Sequence, residues 1–288
     1  MSTGLYQYRP TFTADTGRMP SANIWASCPI FELLCGQRDG IRWVDDFVTQ
    51  DTEDASDAGY MRYIDTSDTI RTLAANTTAL ATGSRGGVLR LSVAATDNNA
   101  PIIQLQTANG ALPFLIGNTA GAAWKLFFEA RIRKSSITDN QCAFFCGLAQ
   151  AGVAANDGLL DDNAGDVVDS ISCIGFRAKH DNGEELDFVY QDSAQTAPTE
   201  VIANIAAMVA STWVKVGFVY DPNAPAAEKI SIFLNGVKQS TFVTTTNIDA
   251  ATFPENDVMS PVVGAKAGEA TAVSLDIDWW QTVQLYDE

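Results

Sequence analysis

Trp213-Val-Lys-Val-Gly-Phe-Val-Tyr220, Lys229-Ile-Ser-Ile-Phe-Leu-Asn-Gly-Val-Lys238 and Ser274-Leu-Asp-Ile-Asp-Trp-Trp-Gln-Thr-Val-Gln-Leu-Tyr286 follow one another as three apolar-rich segments. Each reads as a strand, and their order suggests an antiparallel sandwich. In the last segment strict alternation puts Leu275, Ile277 and Trp279 in a core. It puts Asp276, Asp278 and Trp280 on the solvent or interface face.

Working back along the chain, Trp124-Lys-Leu-Phe-Phe-Glu-Ala-Arg-Ile-Arg133 places Leu126, Phe128, Ala130 and Ile132 on one face. Lys125, Glu129, Arg131 and Arg133 fall on a face expected to be wet. Residues 141–149 and 170–177 are more continuously apolar, as central strands are, and the turn Asp181-Asn-Gly183 makes residues 185–190 a hairpin mate. Gly87-Val-Leu-Arg-Leu-Ser-Val93 and Pro101-Ile-Ile-Gln-Leu-Gln106 read as a hairpin across Thr96-Asp-Asn-Asn99. Residues 200–210 carry Val201, Ile205 and Met208 at helical spacing, and a helix or a strand plus loop fits them. Ile41-Arg-Trp-Val-Asp-Asp-Phe-Val48 is a first strand, and Asp51, Glu53, Asp54 and Asp57 mark a solvated loop before Tyr60–Ile64. No repeat of 20 to 50 residues is visible, which argues against a solenoid or propeller.

A chain of 288 residues with 46% hydrophobic content can bury a substantial core, and sandwiches of this size are commonly one domain. Its 18 basic and 35 acidic residues give a net charge of -17, unfavourable for nucleic-acid binding through phosphate neutralisation. No stretch approaches a membrane span, and Met1–Pro10 has no apolar signal core, so neither a membrane nor standard export is expected. Cys28, Cys35, Cys142, Cys146 and Cys173 are odd in number and lack CxxC spacing. They read as mostly buried thiols of a reducing cytoplasm.

The first 40 residues differ from the rest. Pro10, Pro20 and Pro29 interrupt them and aromatic residues are scattered without period, the pattern of an extended arm or, more blandly, of a disordered terminus. Scattered aromatics favour an arm that packs on something. Its candidate contact residues are Tyr6, Tyr8, Arg9, Phe12, Arg18 and Trp25.

Chemistry has few footholds. His180, the only histidine, is expected as an exposed turn residue, and neither a G-x-S-x-G elbow nor a phosphate loop occurs. Asp276 and Asp278 share a face at roughly 6.5 to 7 Å backbone separation, near glycosidase geometry. The laminarinase-type run needs a third acid, however, and Trp280 and Gln281 stand in its place. Asp161, Asp162, Asn163 and Asp166 form the densest cluster of oxygen ligands, a weak calcium candidate beside the simpler reading of an acidic loop. Trp124, Trp213, Trp279 and Trp280 are platform residues by type for a glycan, though each also suits a core or strand start. No cofactor is expected.

Taken in order, residues 124–133, Phe144–Ala149, Gly175–Arg177 with Leu186–Tyr190, Trp213–Asp221, Ile232–Val237 and Asp278–Trp280 resemble the concanavalin A-like jelly-roll virion proteins of tailed bacteriophages. The resemblance covers about residues 41 to 288. It implies a jelly-roll sandwich (41–288) behind an N-terminal anchoring arm (1–40). It further implies a non-enzymatic capsid cement or decoration protein that binds the major capsid protein as a dimer or trimer. Such a protein is made in the host cytoplasm and ends on the phage head surface. A tail or fibre component binding host glycans, and a glycoside hydrolase using Asp276 and Asp278, are the alternatives.

Overall fold

The computed structural model describes residues 16–36, 39–47, 77–80, 87–97, 100–105, 113–117, 124–151, 153 and 170–286. Among these residues fifteen strands run in chain order: β1 (Gly40–Asp45), β2 (Thr77–Leu80), β3 (Leu89–Val93), β4 (Ile102–Gln104), β5 (Phe114–Ile116), β6 (Leu126–Lys134), β7 (Cys142–Ala149), β8 (Cys173–Ala178), β9 (Glu185–Gln191), β10 (Thr199–Ala207), β11 (Val214–Tyr220), β12 (Ile230–Leu234), β13 (Val237–Val243), β14 (Asp257–Ala267) and β15 (Val273–Leu285). One sheet has the order β13-β12-β11-β6-β15-β3-β2, with β1 also pairing with β15. The other has the order β10-β9-β8-β7-β14-β4, with β5 also on β14. Neighbouring strands are antiparallel and the chain passes repeatedly from one sheet to the other. This is the all-β, concanavalin A-like jelly-roll sandwich the strand order implied.

Alternation fills the space between the sheets. Leu126, Phe128, Ala130 and Ile132 of β6 face inward as expected, against Phe144, Cys146 and Leu148 of β7 and Ile174 and Phe176 of β8. Phe218 sits at the centre, with ring centroids 5.4 Å from both Phe128 and Phe188 and 6.4 Å from Phe176. Each such ring contributes on the order of 2–3 kcal/mol by burial alone. The β12–β13 hairpin turns on Asn235 and Gly236, both at positive φ, the backbone that a two-residue turn between twisted strands requires. Gly147 and Gly175 face each other across β7 and β8, where an added Cβ would lie 2.3 Å and 2.6 Å from backbone oxygens.

Several expectations change on folding. Segments 87–93 and 101–106 do not form a hairpin: β3 pairs with β15 and β4 with β14, in opposite sheets. Of the two readings for residues 200–210, the strand plus loop forms: β10 runs to Ala207 and residues 208–210 leave it, while two register shifts against β9 break simple alternation and imitate helical spacing. The β8–β9 hairpin forms as read.

The face of β6 expected to be wet is covered along part of its length. Phe127 and Glu129 are fully buried, because residues 16–36 lie over the outside of this sheet. That segment holds two short helices, α1 (Ala22–Trp25) and α2 (Ile30–Leu34), where sequence suggested an extended arm. Ile24 and Trp25 pack on Phe127, Val219, Phe233, Val283 and Leu285, with Trp25 and Phe127 stacked at 5.9 Å. One oxygen of Glu129 accepts from the Ser21 backbone N–H (3.0 Å) and from Trp25 Nε1 (2.6 Å). Lys215 Nζ donates to Met19 O (3.0 Å) and Asn23 Nδ2 to Gly236 O (2.6 Å). Of the expected partner-contact residues, Trp25 is therefore spent inside the molecule, only 3% exposed.

Burial raises the Glu129 carboxyl above its ordinary range, opposed by the hydrogen bonds from Ser21 and Trp25 and by the charge of Lys215. A carboxyl that binds its proton more readily when folded contributes stability that is fully present below its unfolded pKa and is lost as pH rises through the folded value. Glu129→Gln keeps an acceptor for both donors and removes the buried charge. Its thermal midpoint is expected to equal or exceed wild type at neutral pH, with a flatter pH dependence between pH 4 and 9. Glu129→Leu strands two buried donors and is expected to cost about 2–4 kcal/mol by urea denaturation. The five thiols divide as well. Cys35 is exposed and Cys28 half-buried, while burial pushes Cys173 up to about 12 and raises Cys142 and Cys146. A thiol reagent is expected to titrate Cys35 and Cys28 in native protein and all five only after denaturation.

Candidate functional site

Strand β15 carries the acids singled out by sequence, and its pairing with β6 decides where they point. Asp276 is opposite Arg133 and Ile277 opposite Ile132, but Trp279, not Asp278, is opposite Arg131. Asp278 is the extra residue of a β-bulge, so alternation changes phase there. Leu275 and Ile277 face the core as expected, but beyond the bulge Trp280 takes the core side, against Phe47 at 5.7 Å. Trp279 lies instead on the outer face, where its Nε1 donates to Arg18 O. The expected assignment of these two tryptophans is thus reversed, and one inserted residue is the reason.

The bulge gathers a cluster on the outer face. Asp276 Oδ1 accepts from Arg90 Nε (2.7 Å), and its Oδ2 accepts from Arg90 Nη2 (2.9 Å) and Arg133 Nη2 (2.5 Å). Asp278 Oδ1 accepts from Arg18 Nε (2.8 Å) and its Oδ2 from Arg131 Nη1 (2.5 Å). Arg131 Nε also donates to Thr16 O (3.1 Å), and Arg18 Nη2 to Gly87 O (3.3 Å), which ties the N-terminal segment to the same spot. The Arg131 and Arg133 guanidiniums stand 4.4 Å and 4.5 Å from the Trp213 ring, within cation–π range.

This arrangement limits the chemistry. A glycosidase needs one carboxyl free to give a proton and another free to attack or to activate water. Here every oxygen of both carboxylates is engaged by a guanidinium, so neither is directed at a substrate. What the cluster offers is charge: four guanidiniums surround two carboxylates.

The other expected site residues scatter. His180 is buried, not exposed: its carbonyl accepts from Asn140 N–H, and Gly268 lies close against its side chain. Trp124 meets Tyr286 edge-on at 4.9 Å. Asp161, Asp162, Asn163 and Asp166, like Tyr6, Tyr8, Arg9 and Phe12, lie outside the described residues. Among the described residues no group of three or more His, Cys, Asp or Glu is placed to hold a metal ion. A cavity of about 490 Å3 lies between α1 and strands β11 to β13, floored by Ile24, Val219 and Phe233. Its charged walls are paired internally, Lys125 with Asp221 (3.0 Å) and Lys238 with Glu228. Sequence reasoning missed Arg90 and Trp213 as members of the cluster. Alternation along β6 put Arg131 and Arg133 on one face, but nothing local pairs them with β15.

No family model matches the chain, and no curated protein matches it. Among solved structures it is similar to a protein of unknown function from Shewanella oneidensis MR-1, at a TM-score of 0.53 and 14% identity over 90% of this chain and 95% of that one. Peanut lectin gives a TM-score of 0.48 and 11% identity over 85% and 97% of the two chains. An endo-1,3-beta-glucanase from Streptomyces sioyaensis gives 0.47 and 10% over 86% and 96%. These likenesses concern fold.

Removing one shared carboxylate leaves two guanidiniums facing each other. Asp276→Ala is expected to lower stability by about 2–3 kcal/mol. That is less than for a fully buried pair, because the Arg90 side chain is 42% exposed. Asp276→Asn should cost less than the alanine variant in the same urea titration.

Proposed function

We propose that this protein is a non-enzymatic virion structural protein that decorates an assembled capsid shell, binding the major capsid protein and stabilising it. The observation that carries the non-enzymatic part is the saturation of Asp276 and Asp278 by Arg90, Arg133, Arg18 and Arg131. The capsid assignment rests on the sequence resemblance over residues 41 to 288. A protein that binds only the assembled shell stabilises it by mass action, without chemistry.

The packing of residues 16–36 refines the arm. Arg18 and Trp25 serve the chain's own sandwich, so in this reading shell contact falls to residues 1–15, with Tyr6, Tyr8, Arg9 and Phe12 as the contact side chains. Aromatic side chains at this density suit burial in a partner's surface.

Deletion of residues 1–15 is expected to abolish co-sedimentation with expanded heads, with melting curves recorded beside the full chain to separate lost binding from lost folding. Deletion of residues 1–36 should lower the midpoint as well, because it uncovers Phe127 and Glu129. Undiminished head binding by the shorter deletion would defeat the anchoring model. Reducing-sugar release lost in Asp278→Asn would defeat the non-enzymatic reading. Glycan-array binding abolished by Trp124→Ala without unfolding would favour a lectin-like tail or fibre component.

A further inference from the structure

The bulge cluster reverses the sign of the molecule at one place. The whole chain carries -17, yet Arg18, Arg90, Arg131 and Arg133 outnumber Asp276 and Asp278 by two. Glu129, on the same face of β6, is buried under residues 16–36 and bonded to Ser21 and Trp25, so among the described residues of β3, β6 and β15 no further carboxylate is exposed beside these arginines. The positive groups are accessible: the side chains of Arg18, Arg90 and Arg133 are 41%, 42% and 26% exposed. They are also oriented. Arg90 and Arg133 grip Asp276 from the two neighbouring strands, and Trp213 stacks against Arg131 and Arg133. Each guanidinium has five N–H donors, and the bonds to Asp276 and Asp278 leave part of each fork unused.

We infer that this face, centred on Arg90 and Arg133, is a docking surface for an acidic polypeptide partner whose Asp or Glu carboxylates meet the outward guanidinium edges. The inference rests on the proposed role as a binding protein and names the side of the sandwich that the partner meets. A strand face suits an extended protein surface, and the cavity noted above lies elsewhere, at α1. Guanidinium forks held in place by neighbouring carboxylates and an indole lose little freedom on accepting a second carboxylate. In a strongly acidic protein, a basic face selects the orientation in which an acidic partner can approach. Asp276 and Asp278 then have a second role beside the structural one: they set how positive the face is.

The test uses the full chain and a fluorescent hexaglutamate peptide, with affinity read by anisotropy at about 20 mM and 150 mM salt. Wild type is expected to bind at the lower salt and more weakly at the higher. R90Q/R133Q is expected to weaken binding by about tenfold or more. D276N adds one net positive charge to the face and is expected to tighten binding several-fold, an outcome a purely structural role for the cluster would not produce. Melting curves accompany both variants, and D276N keeps the test decisive if R90Q/R133Q unfolds. Absence of hexaglutamate binding to wild type overturns the inference, as does affinity unchanged by both variants. Tighter binding of a heparin hexasaccharide than of hexaglutamate overturns the choice of a polypeptide partner. Hexaglutamate binding that follows the cluster while the chain fails to sediment with heads leaves the face intact and rejects the capsid reading. Head binding that survives R90Q/R133Q and D276N unchanged does the reverse.

Discussion

The pairing of β6 with β15 is the constraint on which the rest of the molecule depends. These two strands are central in their sheet, and their register decides which residues of each look inward. Up to Ile277, β15 alternates as its sequence suggests. The extra residue at Asp278 then moves every later side chain to the other face. Without that shift Trp280 would face outward and Trp279 would point into the core. The bulge therefore completes the core at Phe47 and turns the buried Asp278 carboxylate to the outer face where β6 offers Arg131.

A second consequence is electrostatic. A bulge residue has no partner directly across, so Asp278 is free to reach sideways, and it bonds both Arg131 and Arg18. Arg18 belongs to the N-terminal segment, which is thereby fixed at one end by the bulge. At its other end the segment is fixed by Trp25 on Glu129 and the apolar patch around Phe127. The outer face of this sheet is accordingly divided. One part lies under the segment and is dry; the other carries the exposed arginines. α2 leaves Phe31 and Leu34 outward while Ile30 and Leu33 pack down, consistent with a segment held by one side only.

Strand identity was largely legible because period-two alternation, as in residues 124–133, and short continuous apolar runs, as in 141–149 and 170–177, are both local properties. Pairing was legible only where a short turn enforced it, as between β8 and β9. Where strands 89–93 and 102–104 entered different sheets, local pattern was identical for both outcomes and misled. For residues 200–207 local pattern left helix and strand plus loop both open, because register shifts against β9 break the alternation, and only pairing with β9 decided for the strand. Glu129 was the most instructive error. On alternation it belongs to a wet face, and only a segment a hundred residues earlier makes that face dry.

The cluster around Asp276 and Asp278 was half visible. Two acids at i and i+2 on a terminal strand announce a shared face, and the missing third acid argued against catalysis before any geometry was known. Their four arginine partners come from β3, β6 and the N-terminal segment, up to 260 positions away in the chain. The sequence by itself determined the strand content, the antiparallel sandwich and the weakness of the glycosidase motif, because each follows from the order of neighbouring residues. Tertiary structure alone decided the bulge, the burial of Glu129 and Trp25, and the convergence of guanidiniums on two carboxylates. Those depend on register and on long-range burial, and neither leaves a trace in local periodicity.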